Sequence, residues 1–136
     1  LVLRIDYFVP IGIKAVVQER IESVEDYFPA WVNVLTVRWQ VNDEDIATAM
    51  PQYAYRAMTL TLHPPFLEDP DWEESLFHEI GHGIFKPYVA VVDKIIEKLA
   101  PEGMKEYLLD QIAEKEEEIC QDLAIFIKKI KEHADV

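Results

Sequence analysis

The chain has 136 residues, one cysteine and a net charge of −13, from 13 Lys plus Arg against 26 Asp plus Glu. That length suits a single domain over residues 1–136, with a real core but no room for a separate substrate lobe. So acidic a surface repels phosphates, which argues against nucleic-acid binding, and no stretch reaches the roughly 18 apolar residues of a membrane span. A lone cysteine permits no internal disulfide, and no basic and apolar leader pattern opens the chain, so a cytoplasmic location is expected.

Residues 2–9 read as a strand ended by Pro10. Ile13, Val16, Val17, Ile21, Val24 and Phe28 then recur at helical spacing until Pro29 stops them. Residues 31–41, β-branched and aromatic, predict a largely buried strand. The stretch from Asn42 to Gln52 carries acidic residues and Pro51 and reads as a loop. From Tyr55 to His63 apolar Met58, Leu60 and Leu62 alternate with Ala57, Thr59 and Thr61, a half-buried strand that Pro64 and Pro65 end. Three helices follow: one over the motif described next, one marked by Tyr88, Val89, Val92, Ile96 and Leu99, and one from about Met104 to Ile130. The expected fold is therefore α+β, a small three-stranded sheet carrying an active-site helix and C-terminal helices.

The informative segment is His78-Glu79-Ile80-Gly81-His82, an HExxH sequence. Histidines four apart on a helix point about 40° from each other around the axis, so both imidazoles can close on one Zn²⁺. Glu79 stands where a carboxylate reaches a metal-held water as general base. Asp69 or Asp71 can cap this helix, with Glu73 and Glu74 near its positive end. Trp72, Leu76, Ile80 and Ile84 form its apolar stripe, and His78 and His82 fall roughly opposite. An ordinary histidine pair predicts nothing special nearby. Yet Gly81 and Gly83 flank the second histidine, each costing about 1 kcal/mol in a helix interior, which makes sense where another backbone or a substrate must come close.

A catalytic zinc usually takes three protein ligands and keeps one position open. Position 88, where a third motif histidine would fall, is Tyr88, and a single cysteine excludes a Cys₄ or Cys₂His₂ structural site. A carboxylate from the last helix remains, and Glu114, Glu116, Glu117 and Glu118 are all available. Cys120 and Ala124 give Glu117 a face of small residues, which a close helix approach requires. Glu118 has Asp122 one turn on, a partner for a histidine N–H, and Glu116 lies on the apolar stripe of Ile112, Ile119, Leu123, Phe126 and Ile130. The small-residue face favours Glu117, with Glu118 as the alternative.

Over residues 53–127 the chain resembles gluzincin-type zincins, in particular the very small HExxH metallopeptidases of phages and bacteria. The resemblance rests on the strand from Tyr55 to His63, on Phe77 to His82 with Pro87 beyond, and on Glu117 to Ala124. Family members follow the ligand glutamate with a small residue at +3, Asn or Asp at +4, a bulky apolar residue at +6 and Ala or Gly at +7. Glu117 matches through Cys120, Leu123 and Ala124, but Gln121 stands where Asn or Asp is usual. Counted from Glu118, Asp122 fits and Ile125 does not. The resemblance implies a zincin-like fold and a zinc-dependent peptidase with His78, His82 and a glutamate as ligands and Glu79 as base.

The expected activity is hydrolysis of a peptide or protein substrate, laid along the free edge of the strand from Tyr55 to Leu62. His63 and Tyr88 are candidate donors to the reacting oxygen. The rival is a metal-binding regulatory or interaction domain with little turnover, which would have no use for a base at Glu79. A hydrolase acting on other amides would share the same site.

Overall fold

The structure, a computed structural model, describes residues 3–42 and 44–134. In chain order it contains β1 (Arg4–Phe8), α1 (Ile11–Ser23), β2 (Val34–Trp39), β3 (Ala47–Gln52), β4 (Ala57–Leu62), the short α2 (Pro65–Glu68), α3 (Trp72–Leu99) and α4 (Glu102–Ala134). The class is α+β. The sheet has four strands in the order β1-β2-β4-β3, not the three expected. β1, β2 and β4 run parallel, while β3 is antiparallel to β4. Val2, included in the expected first strand, lies outside the described residues.

The extra strand comes from the stretch read as a loop. Pro51 and the run Ala47-Thr48-Ala49-Met50 lack the β-branched density of a central strand, but an edge strand tolerates both. The backbone shows how. His63 N–H donates to the Ile46 carbonyl, so the polar groups of residues 46, 48, 50 and 52 face β4. Those of Ala47, Ala49 and Pro51 face outward, and the N–H that Pro51 lacks is one the ladder never needed. The expected role of the Tyr55–Leu62 strand changes accordingly: β4 lies between β2 and β3, and the free edge belongs to β3.

Leu35 and Val37 of β2 sit in register with Met58 and Leu60 of β4, and with Leu62 they form the buried face of the sheet. Thr36, Thr59 and Thr61 alternate to the other face and stay partly exposed. Onto the buried face pack Val17 and Ile21 of α1, Leu76, Phe77 and Ile80 of α3, and Ala124 and Ile127 of α4. The first helix ends earlier than its apolar spacing suggests, at Ser23, and a 3₁₀ turn over Glu25–Tyr27 brings Phe28 into the same core.

The motif helix and the one expected after it are a single helix of 28 residues with Pro87 inside. Proline removes a donor and crowds the carbonyl one turn back, here that of Gly83. The Trp31 indole N–H donates to that carbonyl at 3.0 Å, taking the place of the missing backbone bond. Gly83 also lets Met58 and Pro29 approach: an added Cβ would lie 3.1 Å from the Met58 sulfur and 3.2 Å from Pro29 Cγ. Among the described residues, no helix is long and apolar enough to cross a membrane.

Candidate metal centre

The site lies where α3 crosses α4 below the free edge of β3. At the crossing, an added Cβ on Gly81 would stand 3.2 Å from the Cys120 Cα, so the glycine within the motif admits another backbone. Cys120 and Ala124 are fully buried there, the face that favoured Glu117. Ion pairs at the far end, Lys131 to Glu73 at 2.6 Å and Lys128 to Asp71 at 3.7 Å, hold the end of α4 against the start of α3. Asp71 occupies the N-cap position of α3, and the Asp69 carboxylate accepts from its N–H.

This crossing brings His78, His82 and Glu117 together. Nε2 of His78 lies 2.9 Å from one Glu117 oxygen and Nε2 of His82 lies 3.1 Å from the other. The outer nitrogens are engaged as well. Nδ1 of His82 meets the buried Glu116 carboxylate at 2.5 Å. Nδ1 of His78 meets Oε1 of Gln121 at 2.9 Å, and the Gln121 amide nitrogen donates to Glu74 at 3.2 Å. Because Glu74 can only accept, it orients the Gln121 amide, whose oxygen in turn requires a proton on His78 Nδ1. Glu116 requires the same of His82.

In neutral imidazoles, both Nε2 atoms then offer lone pairs toward the two Glu117 oxygens, which are also acceptors. Acceptor then faces acceptor in each pair, an arrangement that a shared cation or a proton on the imidazole relieves. Two imidazoles and a carboxylate are a donor set that zinc can take: its bonds of about 2.0–2.1 Å put tetrahedral ligand atoms about 3.3 Å apart, a few tenths beyond these two nitrogen–oxygen separations.

Glu118 turns away and pairs with Lys115 at 2.9 Å, and Asp122 is exposed. Glu116 and Gln121 are the partners that sequence reasoning missed. A signal for Glu116 was present: it lies four and eight positions before Cys120 and Ala124, on the same helix face, so it had to be buried with them. The expected apolar stripe is partly reversed, since Ile119, Phe126 and Ile130 remain exposed while Glu116, Cys120, Ala124 and Ile127 are buried.

Glu79 is 7% exposed and its ligand atom lies within 4.8 Å of those of His78 and His82. Burial pushes its carboxyl up to about 8, helped by the charges of Glu117 and Asp45, while the Ala49 backbone N–H works the other way. Glu79 is thus lodged between the histidines and the outward edge of β3. A second group, His82, Glu116 and Cys120, also has ligand atoms within 4.8 Å of one another. Cys120 is a poor competitor, because burial first and then the charges of Glu116, Glu117 and Glu79 push its thiol up to about 12.

The other candidates stand elsewhere. His63 is buried, with Nδ1 against the Gln40 carbonyl at 2.9 Å, and does not line the groove. Tyr88 lies six residues beyond His82 and lines a second cavity, away from the histidines. Comparisons with protein-family models, curated proteins and solved structures found no match.

Proposed function

We propose that the protein is a zinc-dependent peptidase of zincin type, with His78, His82 and Glu117 as metal ligands and Glu79 as catalytic base. The observation that carries this reading is the convergence of two histidine Nε2 atoms on the two oxygens of Glu117, with both Nδ1 atoms already committed to Gln121 and Glu116. A structural site would close around its metal, whereas this one opens to a groove lined by Thr48, Glu79, His82 and Glu117.

Zinc, when bound, supplies Lewis-acid chemistry, polarising a carbonyl and acidifying water. The chain's own residues do the rest. Gln121 and Glu116 fix the imidazole tautomers, and Glu116 adds electron density to His82. Ala47 offers its outward N–H and C=O and Ala49 its outward C=O, to which an extended peptide can add as a further strand. Glu79, beside the Ala49 N–H, takes a proton from the attacking water and hands it to the departing amine. Its raised affinity for a proton suits the second half of that task, and a divalent cation nearby favours the carboxylate needed for the first.

The test is cleavage of a diverse peptide library by zinc-loaded protein, read by mass spectrometry, with Glu79→Gln as control. Cleavage confined to the native protein supports the reading. Stoichiometric zinc without any cleavage would favour a metal-binding domain with little turnover.

A further inference from the structure

The groove does not stop at the metal centre. From Glu79, His82 and Glu117 it runs along β3 past Thr48, Ala49, Met50 and Pro51 to Lys86. Pro51 and Lys86 are shared with a second cavity of about 800 Å³, whose lining includes Trp31, Tyr53, Tyr55, Tyr88 and Val91. That volume falls in the range of pockets that hold small ligands, roughly 300–1,000 Å³. Its walls are firm where they meet the fold. Trp31 is held by its bond to Gly83 and by edge-on contact with the Tyr53 ring at 5.2 Å. Its rim is apolar yet exposed, with Tyr88 at 72% and Tyr55 at 80%. The metal end is lined instead by Asp45, Glu74, Glu79 and Glu117.

Resting on the peptidase reading, we infer that this cavity is a specificity subsite for a bulky apolar side chain, preferably aromatic, on the N-terminal side of the scissile bond. The direction follows from the strand. Antiparallel pairing is the more stable kind, and a peptide lying antiparallel on β3 has its N-terminal part over Gln52 and Tyr53. The spacing follows too. The reacting centre lies level with Thr48 and Ala49, and strands rise about 3.4 Å per residue, so the cavity is reached about three or four residues before the scissile bond. Pro51 has no N–H to offer there, so side-chain burial rather than backbone pairing must hold that part of the peptide.

Binding can be measured apart from catalysis. Zinc-loaded Glu79→Gln would be titrated with fluorescein-labelled twelve-residue peptides of alanine and serine in which one phenylalanine is moved stepwise along the chain. Fluorescence anisotropy should show binding about tenfold tighter than the phenylalanine-free peptide when at least about four residues follow the phenylalanine, and the least gain when it stands at the C-terminal end. Tyr88→Ala and Val91→Asp, both at exposed helix positions, should each remove that preference without weakening the phenylalanine-free peptide. Native protein should then cleave the favoured peptide on the C-terminal side of the phenylalanine. Equal affinity at every phenylalanine position, a preference untouched by both variants, or cleavage on the N-terminal side overturns the subsite. A phenylalanine preference without cleavage by the native protein leaves the subsite standing and removes the peptidase reading; cleavage without the preference does the reverse.

Discussion

The two halves of the α3–α4 hairpin differ sharply. Near the sheet, α3 buries Leu76, Phe77, Glu79, Ile80, Gly81 and Gly83, and α4 buries Glu116, Cys120, Ala124 and Ile127. Beyond Pro87 and before Lys115 neither helix buries a residue fully, and Tyr88, Val91, Ile95, Leu99, Met104 and Tyr107 are exposed. The same two helices are therefore clamped at one end and only loosely joined at the other. The polar site occupies the clamped end, where small residues bring the helices close and where neighbours can fix each imidazole. Placing buried carboxylates there costs stability, and the surrounding core offsets it.

Breaking the clamped end should have the largest effect. His78→Ala, His82→Ala or Glu117→Ala should abolish stoichiometric zinc binding after reconstitution, read by elemental analysis, while Glu118→Ala leaves it intact. Next comes the helix crossing itself. Gly81→Val pushes a branched side chain against the Cys120 backbone and should cost about 2–3 kcal/mol in urea denaturation. Ile95→Ala, in the loose half, should cost less than about 1 kcal/mol. Similar losses for the two would erase the distinction between the halves.

The metal-free protein should also betray the buried carboxyl through pH. Glu79 titrates near 8 in the folded chain and near its ordinary 4.5 when unfolded. Between those values the folded state holds a proton that the unfolded state lacks, so stability falls as pH rises. The contribution is complete below about 4.5 and gone above about 8. Glu79→Gln should flatten this slope, a difference of a few kcal/mol at most between the two proteins at the ends of the window. An identical pH profile for both would mean that Glu79 is not held as described. The smallest effect sharpens the comparison within the clamp: Gln121→Leu should lower zinc affinity about 10- to 100-fold without unfolding the protein, the range typical of residues that orient a metal's histidines.

Much of the site was legible because helical spacing is strict. His78 and His82 four apart, and Cys120 and Ala124 four apart, each define a face, and Glu117 lies close enough to the second face to meet the first. Glu118, one residue on, points to solvent. What escaped depends on contacts between elements. β3 has a loop-like composition because an outer strand needs neither β-branched residues nor an N–H at Pro51. The two helices expected there are one, continuous through Pro87, because Trp31, 52 residues before Gly83, supplies the replacement donor. Gln121 bonds to His78 from across the helix crossing, and only the position of Glu74 reveals which end of its amide faces the ring.

The central claim is that Glu79 moves the proton in hydrolysis at a zinc held by His78, His82 and Glu117. Its most direct test is the rate at which zinc-loaded native protein and zinc-loaded Glu79→Gln cleave the same peptide, with metal content and folding matched. The account predicts that Glu79→Gln binds zinc equally and retains at most about one hundredth of the native rate, in keeping with general-base contributions of about 10²–10⁴-fold. Equal rates for the two proteins would contradict it.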